Sequence, residues 1–339
     1  MQSTTRWRPE GNLATTLHPY ATLAYAKTLA HVGRPVSVPA WRTCVLARDW
    51  QNQAEDVLGP YPITCLGADS DLATGLEDLR RAGFVSVTLV VDGLFGPPIG
   101  QLQNAFTVAR PFKTHYLVDQ SAGQYRPSRH HSYEIRRAVQ RGVETRIVPL
   151  RLILDAWTAL YQGLICRHRI TGVQRFTRES FEALAACESL TAIAAYIGTE
   201  LVACHLWFQH DALVWSHLAA SNARGYASGA AYAVCDHSIR NFSGHLINLG
   251  GSAGIGASGD DGLARFKAGF ATQSHTAYLI GSVLDAAKYA ALCATLSGPS
   301  AHDYFPAYRA PSAAGGTGAL PQSTCDKSDP CDSQPTISR

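Results

Sequence analysis

The 339-residue sequence predicts an α/β (α+β) protein of two related halves, each a mixed sheet flanked by helices. Three observations carry this. Residues 128–285 alternate in the order strand, two helices, three antiparallel strands, helix, strand, helix, strand. Residues 16–120 give a shorter series with the same ending of helix, strand, helix, strand, so the chain reads as a repeat. A hydrophobic content of 46% is enough for a large core or two of ordinary size.

In the first series, "YATLAYAKTLAHVG" has helical spacing, and "PVSVPA", "RTCVLARDW" and "YPITCLG" read as strands. "SDLATGLEDLRRAG" is a helix with a Ser N-cap and a Gly C-cap. The strand "FVSVTLVVD", the helix "PPIGQLQNAF" and the strand "FKTHYLVD" complete it.

The second series is more legible. "SRHHSYEIRRAVQRG" places Tyr133, Ile135, Ala138 and Val139 at helical spacing and is closed by Gly142. "VETRIV" is a short strand, and "LILDAWTALYQGLICRHRI" puts Leu152, Ala156, Leu160 and Leu164 on one helical face. "TRESFEALAA" opens with a Thr-x-x-Ser helix start. Three apolar runs split by "GT" and "QHD" form an antiparallel meander. "GYASGAAYAVCDHSIRNF" is a helix, "HLINLGG" a strand, "GLARFKAGF" a short helix and "HTAYLIGSVL" the last strand. The domains expected are an extension over 1–15, a first half over 16–127, a second over 128–297 and a disordered tail over 298–339. The tail is rich in Pro, Gly, Ser and Thr and has too little apolar surface to offset its ordering entropy.

Composition narrows the function. A net charge of +3 does not by itself imply nucleic acid. The nine cysteines are scattered, odd in number and without C-x-x-C spacing, as in a reduced cytoplasmic protein. No apolar run is long enough to span a bilayer, and no signal-peptide h-region follows the first Met. No zinc spacing, Ser-His-Asp signature or G-x-x-x-x-G-K-S/T occurs, so no metal is expected.

One motif argues otherwise. Gly254, Gly256 and Gly259 make a G-x-G-x-x-G between a strand and a helix, the pattern of a dinucleotide-binding turn. Asp260 and Asp261 follow it directly. Two carboxylates at that helix N-terminus would cap the helix themselves and repel a pyrophosphate. A doubly wound sheet also alternates strands and helices one for one, which this order does not. The sequence therefore predicts that NAD and FAD do not bind.

"HLINLGGSAG" followed by "DGLARFKAGF" resembles the late strand and Phe-Lys helix of the FemAB-like branch of the GNAT acyltransferase superfamily. "SRHHSYEIRRAVQRG" is similar to the helix that opens the second half in those proteins, and "GTELVACHLWF" to their G-x-hydrophobic-V-A hairpin. The resemblance covers 128–285 well and 16–127 only in order of elements. It implies two tandem GNAT-like halves, each with a centrally splayed sheet, and an acyltransferase acting on a small-molecule or peptide amine.

In such a fold the acyl donor lies where two central parallel strands part, here "ALVWSHLAAS" and "HLINLGG". The resemblance implies acyl-CoA as co-substrate, its pyrophosphate on a Q/R-x-x-G-x-G/A loop. The matching stretch, "SNARGYASGAAY", offers Arg224, Gly225, Gly229 and Ala230 at a different spacing. That departure leaves open an acyl-carrier protein or an aminoacyl-tRNA, which some FemAB relatives use.

The site residues follow from the same resemblance. Lys267 falls at the Phe-Lys pair and is assigned to the carbonyl or a donor phosphate, with Phe266 shaping the pocket. His217 and His205 stand on otherwise apolar strands, and either could take the amine proton, since histidine titrates near neutrality. Asn248 replaces an Asp of the family motif, and Gly250 with Gly251 is its glycine pair. Ser216, Ser221 and Tyr226 could donate hydrogen bonds to donor or leaving group. Arg136 and Arg137, in a run of six Arg and two His between Arg126 and Arg146, suggest an anion site for a nucleotide-sugar phosphate or a tRNA. "RPFKTH", Arg110 to His115, could join them. A catalytically degenerate pair that only binds a ligand or partner is the rival from another class.

Overall fold

The structure, a computed structural model, describes residues 17–121, 125–252, 262–294 and 304–310. The G-x-G-x-x-G with Asp260 and Asp261 lies outside the described residues, as does most of the expected tail.

Strands β1 (Arg34–Val38), β2 (Thr43–Trp50) and β3 (Ala54–Leu58) form an antiparallel meander. β4 (Ser86–Val91) runs parallel to β3 over only two residue pairs. The second series repeats this plan. β6 (Val143–Val148), β7 (Leu190–Ile197), β8 (Glu200–His210) and β9 (Leu213–Ser221) are antiparallel. β10 (Leu246–Gly251) then runs parallel to β9 over three pairs.

The two series exchange their last strands. β5 (Val108–Val118), from the first, pairs with β10 of the second. β11 (Gln273–Val283), from the second, inserts between β4 and β5. The described residues thus form one sheet in the order β1-β2-β3-β4-β11-β5-β10-β9-β8-β7-β6. Element order alone could not reveal the exchange, because it changes pairing and leaves succession intact.

Helices α1 (Leu23–Lys27), α2 (Leu72–Arg81) and α3 (Ile99–Ala105) belong to the first series. The second carries α4 (Arg129–Gln140), α5 (Leu154–His168), α6 (Arg178–Ala185), α7 (Ala223–Ser228), α8 (Ala230–Asn241) and α9 (Gly262–Ala268), followed by α10 (Ala286–Ala294). Caps account for several boundaries. Thr177 and Ser180 form the capping box of α6 that Thr-x-x-Ser predicts. Ser128 caps α4, and Gly142, at φ +77°, ends it. The N-cap of α2 is Asp71, one residue past the expected serine, because its carboxylate reaches both Thr74 N and Thr74 Oγ1.

Other expectations need correction. "YPITCLG" is not a strand; that place is taken by Ala54–Leu58, which follows the turn at Gln51 and Asn52 with positive φ. The first helix is only five residues long, preceded by a 3₁₀ turn at Pro19–Ala21. Gly229, at φ +76°, breaks the expected single helix into α7 and α8. Residues 304–310, expected in the disordered tail, dock on the first series. Tyr308 is buried there and donates to Asp56 at 3.0 Å, and Arg309 pairs with the same carboxylate.

Side chains cover both faces of the second series. On one face Trp157, Phe181, Phe208 and Trp215 pack with Tyr20 and Tyr25. On the other, Val202, Trp207 and Ile247 pack against α8 and Phe270. The site lies at the centre of the sheet, between these two cores.

Candidate functional site

The parallel ladder of β9 and β10 runs Leu213 to Leu246, Val214 to Ile247 and Trp215 to Asn248, then stops. Beyond that last pair the strands part. On its other edge β9 carries a bulge: Leu206 faces Leu218 and Trp207 faces Ser216, so His217 is the extra residue. A bulge changes which face each side chain takes, and its consequences fall on Ser216 and His217.

Ser216 points to the α8 face, where its Oγ lies 2.8 Å from His205 Nε2 on β8. His205 stacks near Trp207, with ring centroids 4.0 Å apart. Burial, then the Lys267 ammonium, then His217 push its imidazole down to about 3, so it is neutral at physiological pH. In the tautomer with its proton on Nδ1, the neutral Nε2 accepts a hydrogen bond from the serine hydroxyl and leaves the oxygen lone pairs available.

His217 points the other way, into five aromatic rings: Tyr20, Tyr25, Tyr61, Phe176 and Phe208, with centroids 5.1–6.2 Å away. Its Nδ1 lies 3.4 Å from Tyr20 Oη, and its buried Nε2 has no hydrogen-bond partner among the described residues. Burial pushes this imidazole to about 3 as well. The two histidines read from the sequence as alternative bases thus sit on opposite faces of the sheet.

Lys267, on α9, reaches back to the end of β10 and donates to Gly251 O at 2.6 Å. From β5, Lys113 donates to Ser252 O at 3.1 Å. Gly251 is the register partner of His115, where a side chain would crowd Thr114 O, His115 and Lys113. "RPFKTH" therefore does reach the site, at β10. α9 is held by α4: His131 Nε2 lies 2.8 Å from Phe266 O, and Phe266 packs near Tyr232, His131 and Phe270.

Asn248 is fully engaged. Its amide donates to Asp92 Oδ2 at 3.0 Å and to His115 Nδ1 at 3.1 Å, and its Oδ1 accepts from Gly250 N at 2.8 Å. An amide has two donors, so none is left for a substrate. The same bond places the His115 proton on Nε2, and burial, followed by the Lys267 charge, pushes that imidazole to about 3. Asp92, at the end of β4, also accepts from Trp215 Nε1 at 2.9 Å. Asp92 and Trp215 were missed in the sequence, and His115 was read only as the end of "RPFKTH"; a polar residue ending the apolar run "VTLVV" is the one signal of Asp92.

The expected donor-phosphate loop has other uses. Asn222 Oδ1 caps α7 by accepting from Gly225 N at 2.8 Å. Arg224 pairs with Glu200 at 2.6 Å, and Tyr226 lies under the Arg167 guanidinium, 4.4 Å from the ring centre. Gly225 is a glycine because any Cβ would strike the Val202 carbonyl. Ser221 is buried at the end of β9. A cavity of about 350 Å³ opens beside it, between α5 and the start of α7, lined by Leu160, Gly163, Arg167 and Leu201 among others. Arg136 and Arg137 stand on α4, and Arg137 pairs with Glu134 at 3.3 Å. Among the described residues no cluster of His, Cys, Asp or Glu could hold a metal, and no helix is long and apolar enough to cross a membrane.

No family model and no curated protein matches the sequence. Solved structures do match the fold. The C-terminal domain (DUF2156) of an Agrobacterium fabrum protein named for lysylphosphatidylglycerol synthetase superposes with a TM-score of 0.55 at 14% identity, over 79% of this chain and 89% of that one. FemX gives 0.54 at 11% identity, over 81% and 95%. L-PGS from Bacillus licheniformis gives 0.51 at 11%, over 76% and 90%. The chain thus shares the fold of these three structures, in line with the resemblance its residues suggested.

Proposed function

We propose that the chain is an N-acyltransferase or aminoacyltransferase, moving an activated acyl group to an amine at the gap between β9 and β10. The observation that supports this most is the convergence of three features where the ladder ends: the unpaired strand edges, the Ser216–His205 pair and the Lys267 ammonium. The 128–297 segment carries the gap, and 16–127 contributes β5 and Asp92 to it.

The donor carbonyl enters the gap near Ser216. Amine attack places negative charge on the carbonyl oxygen, and Lys267 supplies the compensating charge. The attacking nitrogen gives up one proton, and the leaving thiolate or alkoxide takes one, so transfer needs no net base. Ser216, its hydroxyl oriented by neutral His205, is placed to carry that proton. His217, enclosed in aromatic rings, has a packing role in this scheme.

The loop at Asn222–Gly229 bears on the choice of donor. With Asn222 capping Gly225 and Arg224 tied to Glu200, a CoA diphosphate finds few open amides there. The basic surface of α4, with Arg129, His130 and Arg136 exposed and Arg126 exposed just before the helix, favours an aminoacyl-tRNA as the second reading. The name of one fold neighbour, a lysylphosphatidylglycerol synthetase domain, agrees with aminoacyl transfer. The test is incubation of the protein with acyl-CoAs, acyl-carrier protein and bulk aminoacyl-tRNA, each with an amine panel, read by mass spectrometry. Transfer from one donor class identifies it. No transfer and no thermal shift with any donor would make the chain a binding module.

A further inference from the structure

We infer that Asp92 is a positioning residue for the β9–β10 gap, lent by the first series of elements to the site of the second. The inference rests on the transfer reading above for its functional meaning, but its geometry stands alone.

Trp215 and Asn248 are the last register partners before the strands part. One oxygen, Asp92 Oδ2, accepts from both, at 2.9 Å from the indole and 3.0 Å from the amide. The other oxygen accepts from Leu94 N at 3.0 Å, which fixes the carboxylate's orientation, and His275 on β11 bonds to the Asp92 backbone carbonyl. Asp92 is 3% exposed, so these partners replace water. Three donors on an acceptor-only group match in kind. Burial raises the carboxyl pKa, and the bonds from Trp215, Leu94 and Asn248 with the charge of His275 oppose that rise.

The consequence travels along β10. Asp92 and His115 hold the Asn248 amide, the Asn248 carbonyl holds Gly250 N, and the next residue presents the carbonyl that anchors Lys267. Asp92 thus sets where the gap begins and, through Asn248, where the Lys267 ammonium is held. Its influence on the reacting groups runs through Asn248 and Trp215.

The test compares Asp92→Asn with Asp56→Asn. Asp92→Asn keeps the side chain's shape but presents an NH₂ group to donors. Asp56 is equally buried, yet it stands on β3, where it holds Arg48 and Tyr308, and serves as the control for lost stability. In Asp92→Asn the Trp215 indole N–H resonance, assigned with Trp215→Phe, shifts upfield. Amide exchange at Asn248–Gly251 quickens at least about tenfold, and kcat falls about 10- to 100-fold, the scale expected for a displaced group. Asp56→Asn lowers the melting temperature without moving any of the three. An unmoved indole and unchanged exchange in Asp92→Asn overturn the inference, as does an equal response in Asp56→Asn. If indole and exchange respond but the parent protein transfers nothing from any donor, the positioning holds and the transfer reading is what fails.

Discussion

Lys267 donates to the carbonyl of Gly251 at 2.6 Å, a bond that returns α9 to the end of β10. The bond holds the charge where β10 has just left β9, and the same charge is among the causes that depress His115 and His205.

Replacing Lys267 by Met keeps the stem and removes the charge. Loss of one oxyanion stabiliser costs about 10²–10³-fold in turnover, roughly 3–4 kcal/mol of barrier. Steady-state kinetics of Lys267→Met with the active donor should show that fall in kcat, with donor KM within a few-fold. A raised donor KM at full kcat would instead make Lys267 a phosphate grip. If neither moves, the residue has no part in the chemistry.

Much of this arrangement was legible in the sequence. The meander, the late strand and the Phe-Lys helix follow from period and turn chemistry, which are local. What was not legible is non-local. The strand exchange brings His115 and Asp92 to Asn248 from more than a hundred residues away, and nothing in the spacing of "FKTHYLVD" says which edge it joins. The bulge at His217 is likewise invisible: a strict alternation would put Ser216 and Leu218 on one face, and one extra residue changes that.

Gly225 tests whether α7, just before α8, is built for packing. Its α-carbon lies against the Val202 carbonyl, a backbone atom that cannot rotate away. Gly225→Ala should lower stability by roughly 1–3 kcal/mol, as overpacking does. Chemical denaturation measures this directly, and an unchanged midpoint would refute the packing account.

Acid should unfold the protein early. His115, His205 and His217 are pushed to about 3 in the fold, against about 6.5 in an unfolded chain. Between those values the unfolded state binds more protons, so stability is complete above the upper one and is lost as pH falls toward the lower. Three such groups give a slope of up to about 4 kcal/mol per pH unit. Melting temperatures from pH 7 to pH 4.5 should trace it. His217→Phe, which fills the same aromatic cage and removes an unpartnered buried nitrogen, should flatten the slope by about a third. It should also leave transfer within about threefold of the parent. Abolished transfer in a folded His217→Phe protein would restore His217 as the base.

Ser216 and His205 form a pair only if the bulge places them as found, and a double-mutant cycle reads the pair as a unit. Ser216→Ala removes the hydroxyl that carries the proton; His205→Phe removes the nitrogen that orients it and keeps a ring beside Trp207. Proton-transfer groups contribute about 10²–10⁴-fold, and an orienting partner acts only through the group it orients. Ser216→Ala should therefore lose about 10²–10⁴-fold in kcat, His205→Phe no more than that, and the double variant no more than the worse single. Because His205 is already neutral above about pH 4, neither the parent nor Ser216→Ala should show a histidine titration between pH 5 and 8. Any rise in rate with pH there should follow the amine acceptor's own pKa and shift when the acceptor is changed. Multiplicative losses in the double variant would mean that the two residues serve separate steps. A rate limb near pH 6.5 that vanishes in His205→Phe would make His205 a titrating base and the neutral-imidazole account wrong.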